Sequence, residues 1–331
     1  MSFRVRMASE ADAPAVLELL AEHVPQADPR ARYTWLYQRN PGGRALTWVV
    51  EEETSATIAG MTSFFPFRLW LDGANVLGAL GGDGYVRPAF RRRGLGGMLH
   101  EASRRAMREH GIRCMYGAPG PMNVTPLKAG GSREIGAVAR WMRPLSGRAL
   151  TRRPSVDAML ALLLRPRGGL GTLDPVRRDD PRVDRIWHAS RGDLHLAAVR
   201  DAAFYTWRFL DAPAHKQDPF VILDRGEPIA VCALERLARG IRVVDLVAPA
   251  HVWGRALRTI AAHASRAGAD LVDLKLMAAD GQRRALWRHG FVERESKPYL
   301  VMVPDGDDLS PTLDPSRWFY TGADSDLDFL E

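Results

Sequence analysis

Apolar and polar positions alternate with period two from Phe3 to Met7, which predicts a short strand. The period then changes. Ser9, with Asp12 three residues on, forms a capping box ahead of a helix carrying Ala13, Val16, Leu17 and Leu20 on one face. After a polar stretch from Pro25 to Arg32, strands follow at Leu46 to Glu51, Thr57 to Leu71 and Val76 to Val86, the last two joined by an Asp72-Gly73 hairpin turn. Leu95, Met98, Leu99, Ala102 and Ala106 share one face of a helix from Gly94 to His110, which Gly111 ends. A strand at Ile112 to Tyr116, an irregular Gly/Pro-rich stretch and a strand around Ile135 to Met142 complete this half.

Arg143 to Pro181 reads as a connection rich in Arg, Pro and Gly, holding a short apolar helix at Val156 to Leu164. The first pattern then returns. Tyr33-Thr34-Trp35 with Tyr37 and Pro41 recurs as Tyr205-Thr206-Trp207 with Phe209 and Pro213, 172 residues later. Trp48 to Val50 answers Val221 to Leu223, and Asp83 to Pro88 answers Asp245 to Pro249 with one residue deleted. Each Pro precedes a helix closed by Gly (Gly111, Gly268) and then a strand, which is Leu271 to Met277 in the second copy. The chain is a duplicated α/β unit. The copies differ after the Pro: the first has Ala89 to Gly97, rich in Arg and Gly, and the second runs from Ala250 to Trp253 straight into its helix.

Composition agrees with two soluble cores: 331 residues, 46% hydrophobic and 26% charged. The longest apolar cluster, Ala158 to Leu164, is far short of the roughly 20 residues a spanning helix needs, so no membrane is expected and the cytoplasm is the default compartment. Cys114 and Cys232 lie in apolar runs without companion ligands, and no two histidines stand at H-x-x-x-H spacing; neither a disulfide scaffold nor a metal is expected. Of the 46 basic residues only four are lysines, and the 42 arginines are spread along the chain, so composition does not argue for a nucleic-acid partner and none is expected. Eight acids lie between Asp305 and Glu331, so the formal charge of +7 combines an acidic tail with a basic body. The apolar run Trp318-Phe319-Tyr320 should pack that tail onto the body.

The Arg/Gly segment is where chemistry is expected. R-x-x-G-x-G alone is weak in a chain so rich in both residues, but here Pro88 and a strand precede it and an amphipathic helix follows. A strand turning into a helix through Gly94, Gly96 and Gly97 leaves the first N–H groups of the helix free for an anion, and glycine lets a phosphate approach them. Arg91, Arg92 and Arg93 add forked donors suited to phosphate oxygens. Gly78, Gly81, Gly82 and Gly84 in the preceding strand point to a bulge or to close approach by a ligand.

Val86-Arg87-Pro88-Ala89-Phe90-Arg91-Arg92-Arg93-Gly94-Leu95-Gly96 resembles the acyl-CoA pyrophosphate loop of the GCN5-related N-acetyltransferase (GNAT) superfamily. The resemblance extends over a tandem arrangement: residues 1–145 as a GNAT domain, 146–180 as linker, 181–303 as a degenerate GNAT-like domain and 304–331 as acidic tail. It implies an α/β (α+β) fold of two mixed, mostly antiparallel twisted sheets flanked by helices. It further implies transfer of an acyl group from acetyl-CoA or another acyl-CoA to an amine on a small-molecule acceptor. Arg91 to Gly97, Leu95 included, would hold the pyrophosphate, the strand edge up to Val86 would pair with the pantetheine, and a backbone N–H of Tyr85 or Val86 would polarise the thioester carbonyl.

For catalysis the resemblance offers Asp83 as general base, although Asp245 occupies the matching place in the copy without a loop. The family's N-x-x-A-x-x-x-Y pattern is met by Asn123, a pantetheine contact, but Gly130 stands where the acid Tyr would fall, leaving Tyr116 or water to protonate the thiolate. Two other functions stay open at this point: aminoacyl-tRNA-dependent transfer of the Fem type, against which the intact phosphate loop weighs, and a CoA-binding sensor without turnover. The sequence leaves the oligomeric state open.

Overall fold

The structure is a computed structural model describing residues 2–149, 164, 166, 171–214 and 216–325. The helix expected at Val156 to Leu164 lies, apart from Leu164, outside the described residues. Contacts divide the chain into two compact units, Met1–Ala137 with Lys297–Pro315 and Asp324–Glu331, and Val138–Ser296 with Ser316–Ala323.

In the first unit β1 (Phe3–Met7) pairs antiparallel with β2 (Leu46–Glu52), β2 with β3 (Thr57–Leu71), and β3 with β4 (Ala74–Val86) across the hairpin. Asp72 and Gly73 take positive φ there, as a tight hairpin turn requires. Helix α1 (Ala13–His23) follows the Ser9–Asp12 box. The polar stretch after it is more ordered than its composition predicts: the Asp28 carboxylate caps α2 (Pro29–Arg32), which runs into a π-helical turn at Tyr33–Gln38. Helix α3 (Leu95–Ala106) buries Leu95 and Leu99 against Trp48, Val50, Ala59, Phe64 and Ala79. Each such leucine contributes about 2 kcal/mol by leaving water. Strand β5 (Ile112–Gly117) lies parallel to β4, and the Gly/Pro-rich stretch behind it forms α4 (Pro121–Ala129).

Strand β6 (Arg133–Pro144) carries the chain into the second unit. There follow β7 (Thr172–Pro175), α5 (Pro181–Ser190), β8 (Leu196–Ala198), α6 (Ala202–Tyr205) and a second π-helical turn at Thr206–Leu210. Then come β9 (Gln217–Asp224), β10 (Glu227–Arg236), β11 (Gly240–Val247), α7 (Trp253–Arg266), β12 (Leu271–Met277) and α8 (Asp280–Arg288). Strands β13 (Val292–Met302) and β14 (Trp318–Thr321) end the described chain.

The strand order repeats. The first unit reads β1-β2-β3-β4-β5-β13 and the second β7-β9-β10-β11-β12-β6, with the third-to-fourth pair antiparallel and the fourth-to-fifth parallel in both. The sixth strand is exchanged: Leu300–Met302 of β13 pair with β5, whereas Ala139–Pro144 of β6 pair with β12. The compact units therefore do not follow the linear halves that the repeat defines. The acidic tail is also more built than a hanging chain. Asp305, Asp307 and Asp308 ion-pair with Arg104, Arg113 and Arg133 in the first unit. Trp318, Phe319 and Tyr320 are buried in the second.

Candidate cofactor groove and phosphate loop

β4 carries a bulge where the sequence places its glycines. Gly82 faces Ser63 and Tyr85 faces Met61, so Asp83 and Gly84 together oppose Thr62. On its other side β4 pairs with β5 only through Leu77–Ile112, Ala79–Met115 and Leu80–Tyr116. Beyond that register the two parallel strands part, and among the described residues the edge from Gly81 to Val86 has β3 as its one strand partner. This edge, unpaired on the β5 side among the described residues, is the candidate groove. Two of the strand's glycines have another explanation, because a Cβ at Gly78 would come within 2.4 Å of Leu69 and one at Gly81 within 3.0 Å of the Met115 sulfur. Packing inside the protein requires them.

At the end of the groove Pro88–Phe90 form a 3-10 turn, and Gly94, at φ +77°, turns the chain into α3. Built Cβ atoms at Gly94, Gly96 and Gly97 meet nothing within 4 Å, so there is room beside the start of the helix, whose first N–H groups lack intrahelical partners, for a phosphate to approach the backbone. The three arginines are exposed but not equivalent. Arg91 donates to the Val86 carbonyl at 2.9 Å and lies over the Tyr85 ring, Arg93 lies over Phe3, and Arg92 takes φ +62°. Arg87, just before the turn, is held by Glu18 and Glu22.

Asp83 stands at the bulge with φ +49°, an unusual backbone for a residue with a side chain. Its carboxylate is almost fully buried. Arg32 donates to both oxygens, at 2.9 and 3.2 Å, and the Tyr37 hydroxyl donates at 2.8 Å. Burial and the adjacent carboxylate push the Tyr37 phenol well above its ordinary value, so it stays a donor. Ser63 donates to the Tyr37 oxygen at 3.3 Å, and Thr47 bonds Ser63 at 3.0 Å. Arg32 and Tyr37 were not foreseen from sequence. A buried arginine has no sequence signature, and Tyr37 is hidden within an aromatic cluster.

The remaining predicted residues divide. Tyr116 sits where β4 and β5 part, buried, its ring edge-on to Phe67. Asn123 is exposed in the first turn of α4. Gly130 closes that helix, and a Cβ there would approach His100 on α3 to 3.1 Å, so His100 occupies the space beside this position. Burial lowers the His100 imidazole pKa and raises the Cys114 thiol to about 12. Among the described residues no group of three His, Cys, Asp or Glu could hold a metal ion, and no helix is long and apolar enough to cross a membrane.

Residues 4–125 match the family model described as an acetyltransferase (GNAT) domain. No curated protein matches the chain. Solved structures with a similar fold include a GCN5-related N-acetyltransferase from Anabaena variabilis, 17% identical at TM-score 0.69, the match covering 91% of this chain and 73% of that one. Another from Kribbella flavida is 14% identical at TM-score 0.61, over 91% and 71%. An N-myristoyltransferase from Saccharomyces cerevisiae with bound myristoyl-CoA is 12% identical at TM-score 0.57, over 91% and 82%.

Proposed function

We propose that this chain, whose residues 4–125 match an acetyltransferase (GNAT) domain, is an acyltransferase of the GNAT superfamily that transfers an acyl group, most simply acetyl, from coenzyme A to an amine of a small molecule. The observation that carries this reading is the conjunction of the parted β4 edge with the open glycine turn at the start of α3. A long thioester with a diphosphate at one end suits those two features together.

In this reading the N–H groups of Gly94 to Gly97, with Arg92 and Arg93, hold the diphosphate, and Arg91 braces the strand end from which the turn departs. The bulged edge of β4 supplies amide partners to the pantetheine, with Asn123 of α4 as a further contact. Acyl-CoA supplies the activated thioester. A backbone N–H of Tyr85 or Val86 is aimed at the carbonyl oxygen, where negative charge grows as the amine attacks. The Asp83 carboxylate is buried and already accepts three hydrogen bonds from Arg32 and Tyr37, so an ammonium has no direct approach to it. Water therefore carries the ammonium's proton away. Tyr116, at the point where the strands part, is the proposed donor to the departing thiolate.

Incubation of the chain with acetyl-CoA and a panel of small amines should release free thiol. Calorimetry should show Gly96→Asp weakening acetyl-CoA binding by about a hundredfold, since an acidic side chain then projects into the diphosphate space. Unchanged affinity would remove the loop from the reading.

A further inference from the structure

We propose that Arg32 and Tyr37 are positioning residues that hold the bulge of β4 in its working shape through Asp83; the inference rests on the acyl-transfer reading above. A residue with a side chain persists in the left-handed region only where its surroundings over-determine it. Asp83 does so at φ +49°, and its surroundings are on hand. Arg32 grips both carboxylate oxygens and Tyr37 a third lone pair. The Arg32 and Asp83 side chains are 4% and 2% exposed, so water does not compete. Ser63 lies across the ladder from Gly82, beside the bulge, and bonds both Tyr37 and Thr47. The clamp thus ties α2 and the turn after it to β2, β3 and β4 at the two residues that precede Tyr85.

The second unit supplies the control. Asp245 is also buried and held by an arginine and a tyrosine, Arg200 and Tyr205. Its strand bulges too, at Val244, which is left over between the Leu234–Val243 and Ala233–Asp245 pairs. Yet Asp245 is not among the residues at positive φ. Burying a neutralised aspartate does not by itself require the left-handed backbone. That backbone accompanies the clamp in the unit that carries the open glycine loop, and there it sets where the amides of Gly84 and Tyr85 point. Loosening the clamp should therefore slow the reaction at a bound thioester more than it weakens binding.

The experiment compares Tyr37→Phe, Asp83→Asn and the double variant Asp83→Gly with Arg32→Met, following kcat, KM for acetyl-CoA and the pH profile of kcat. Amide hydrogen exchange over residues 80–87 is measured alongside. Expected are a kcat about tenfold lower in Tyr37→Phe and about a hundredfold lower in Asp83→Asn, with KM within about threefold of wild type. Glycine adopts positive φ without a clamp, and Arg32→Met leaves no unpaired cation. The double variant should thus recover kcat about tenfold over Asp83→Asn and keep the wild-type pH profile. A double variant as inactive as Asp83→Asn, with the acidic limb of the profile gone, would make Asp83 the proton acceptor and overturn the proposal. If wild type fails to bind acetyl-CoA, the acyl-transfer reading fails, and exchange alone decides the clamp: faster exchange over 80–87 in Tyr37→Phe supports it, and unchanged exchange overturns it.

Discussion

In the first unit the carboxylate of Asp83 takes two bonds from Arg32 and one from Tyr37, whereas in the second Asp245 takes one each from Arg200, Tyr205 and Thr321. Each acid is held by an arginine and a tyrosine, but these donors come from different places in the two copies. The repeat aligns Thr34 with Thr206, and each closes its π-helical turn with the same bond, from the Arg39 and Asp211 N–H groups. On that alignment Tyr205 matches Tyr33, not Tyr37. The Arg and Tyr that serve the acid stand 168 residues apart, not 172, and so have moved by four residues, one helical turn. A buried carboxylate at the strand bulge persists in both copies while the way it is neutralised has been rebuilt. The grooves differ likewise. Where β4 leaves β5 the edge is open, but where β11 leaves β12 after Val243–Leu274, β14 pairs with β12 at Leu276 and Met277. Thr321 of that strand reaches Asp245 at 2.8 Å. In the second copy the backbone of β14 stands where, among the described residues, the first copy has no strand.

The strongest way to break this comparison is Arg200→Met. Arg200 and Asp245 are fully buried, and removing one partner leaves an uncompensated charge, so the second unit should lose about 3–5 kcal/mol of stability. Urea unfolding followed by tryptophan fluorescence measures the loss. Acetyl-CoA affinity of the still-folded fraction should match wild type, because the glycine turn proposed to hold the diphosphate belongs to the other unit; a parallel fall in affinity would mean that the copies do not divide the work. Thr321→Val is milder. It keeps the shape of β14 but removes one donor to a buried carboxylate, at a cost of about 1–3 kcal/mol. If it strengthened acetyl-CoA binding or created a second site by calorimetry, β14 would be a removable plug and not part of the core.

How much of this was legible depended on whether a feature is local. Strands such as Thr57–Leu71 and the loop from Val86 to Gly97 are written in period, turn residues and spacing, and the structure places them where the pattern does. The clamp was not legible, because Arg32 and Asp83 are 51 residues apart and nothing in a polar run marks one arginine as buried. The strand exchange was hidden for a related reason: β6 and β13 have equal strand character whichever sheet receives them. Gly78 and Gly81 show the opposite error, in which a local signal is real but its cause, the packing of Leu69 and Met115, is tertiary. The turn at Pro29–Gln38 was underrated because its helix is short and its apolar residues cluster where the segment packs, without a full amphipathic period.

The smallest effect sharpens the comparison through pH. Burial alone lowers the pKa of His100 in the first unit, while His263 and His289 in the second are lowered by burial and then by nearby arginines. A histidine whose folded pKa lies below its unfolded value binds its proton more readily in the unfolded chain. Its contribution is then complete above about pH 6.5 and is lost as pH falls from there toward the folded pKa. Asp180 and Asp270 are lowered chiefly by hydrogen bonds, from Arg182 and Ser146 respectively, and act in a separate window below about pH 4. Stability measured by urea unfolding should therefore decline between pH 7.5 and 5.5 in two contributions, one per unit. His100→Gln should remove the first unit's share, less than about 1 kcal/mol, and leave the second's. Because His100 lies beside Gly130, an unchanged slope would mean that its imidazole turns outward on protonation, and Gly130→Ala in the otherwise wild-type chain, which hinders that turn, should then steepen the slope.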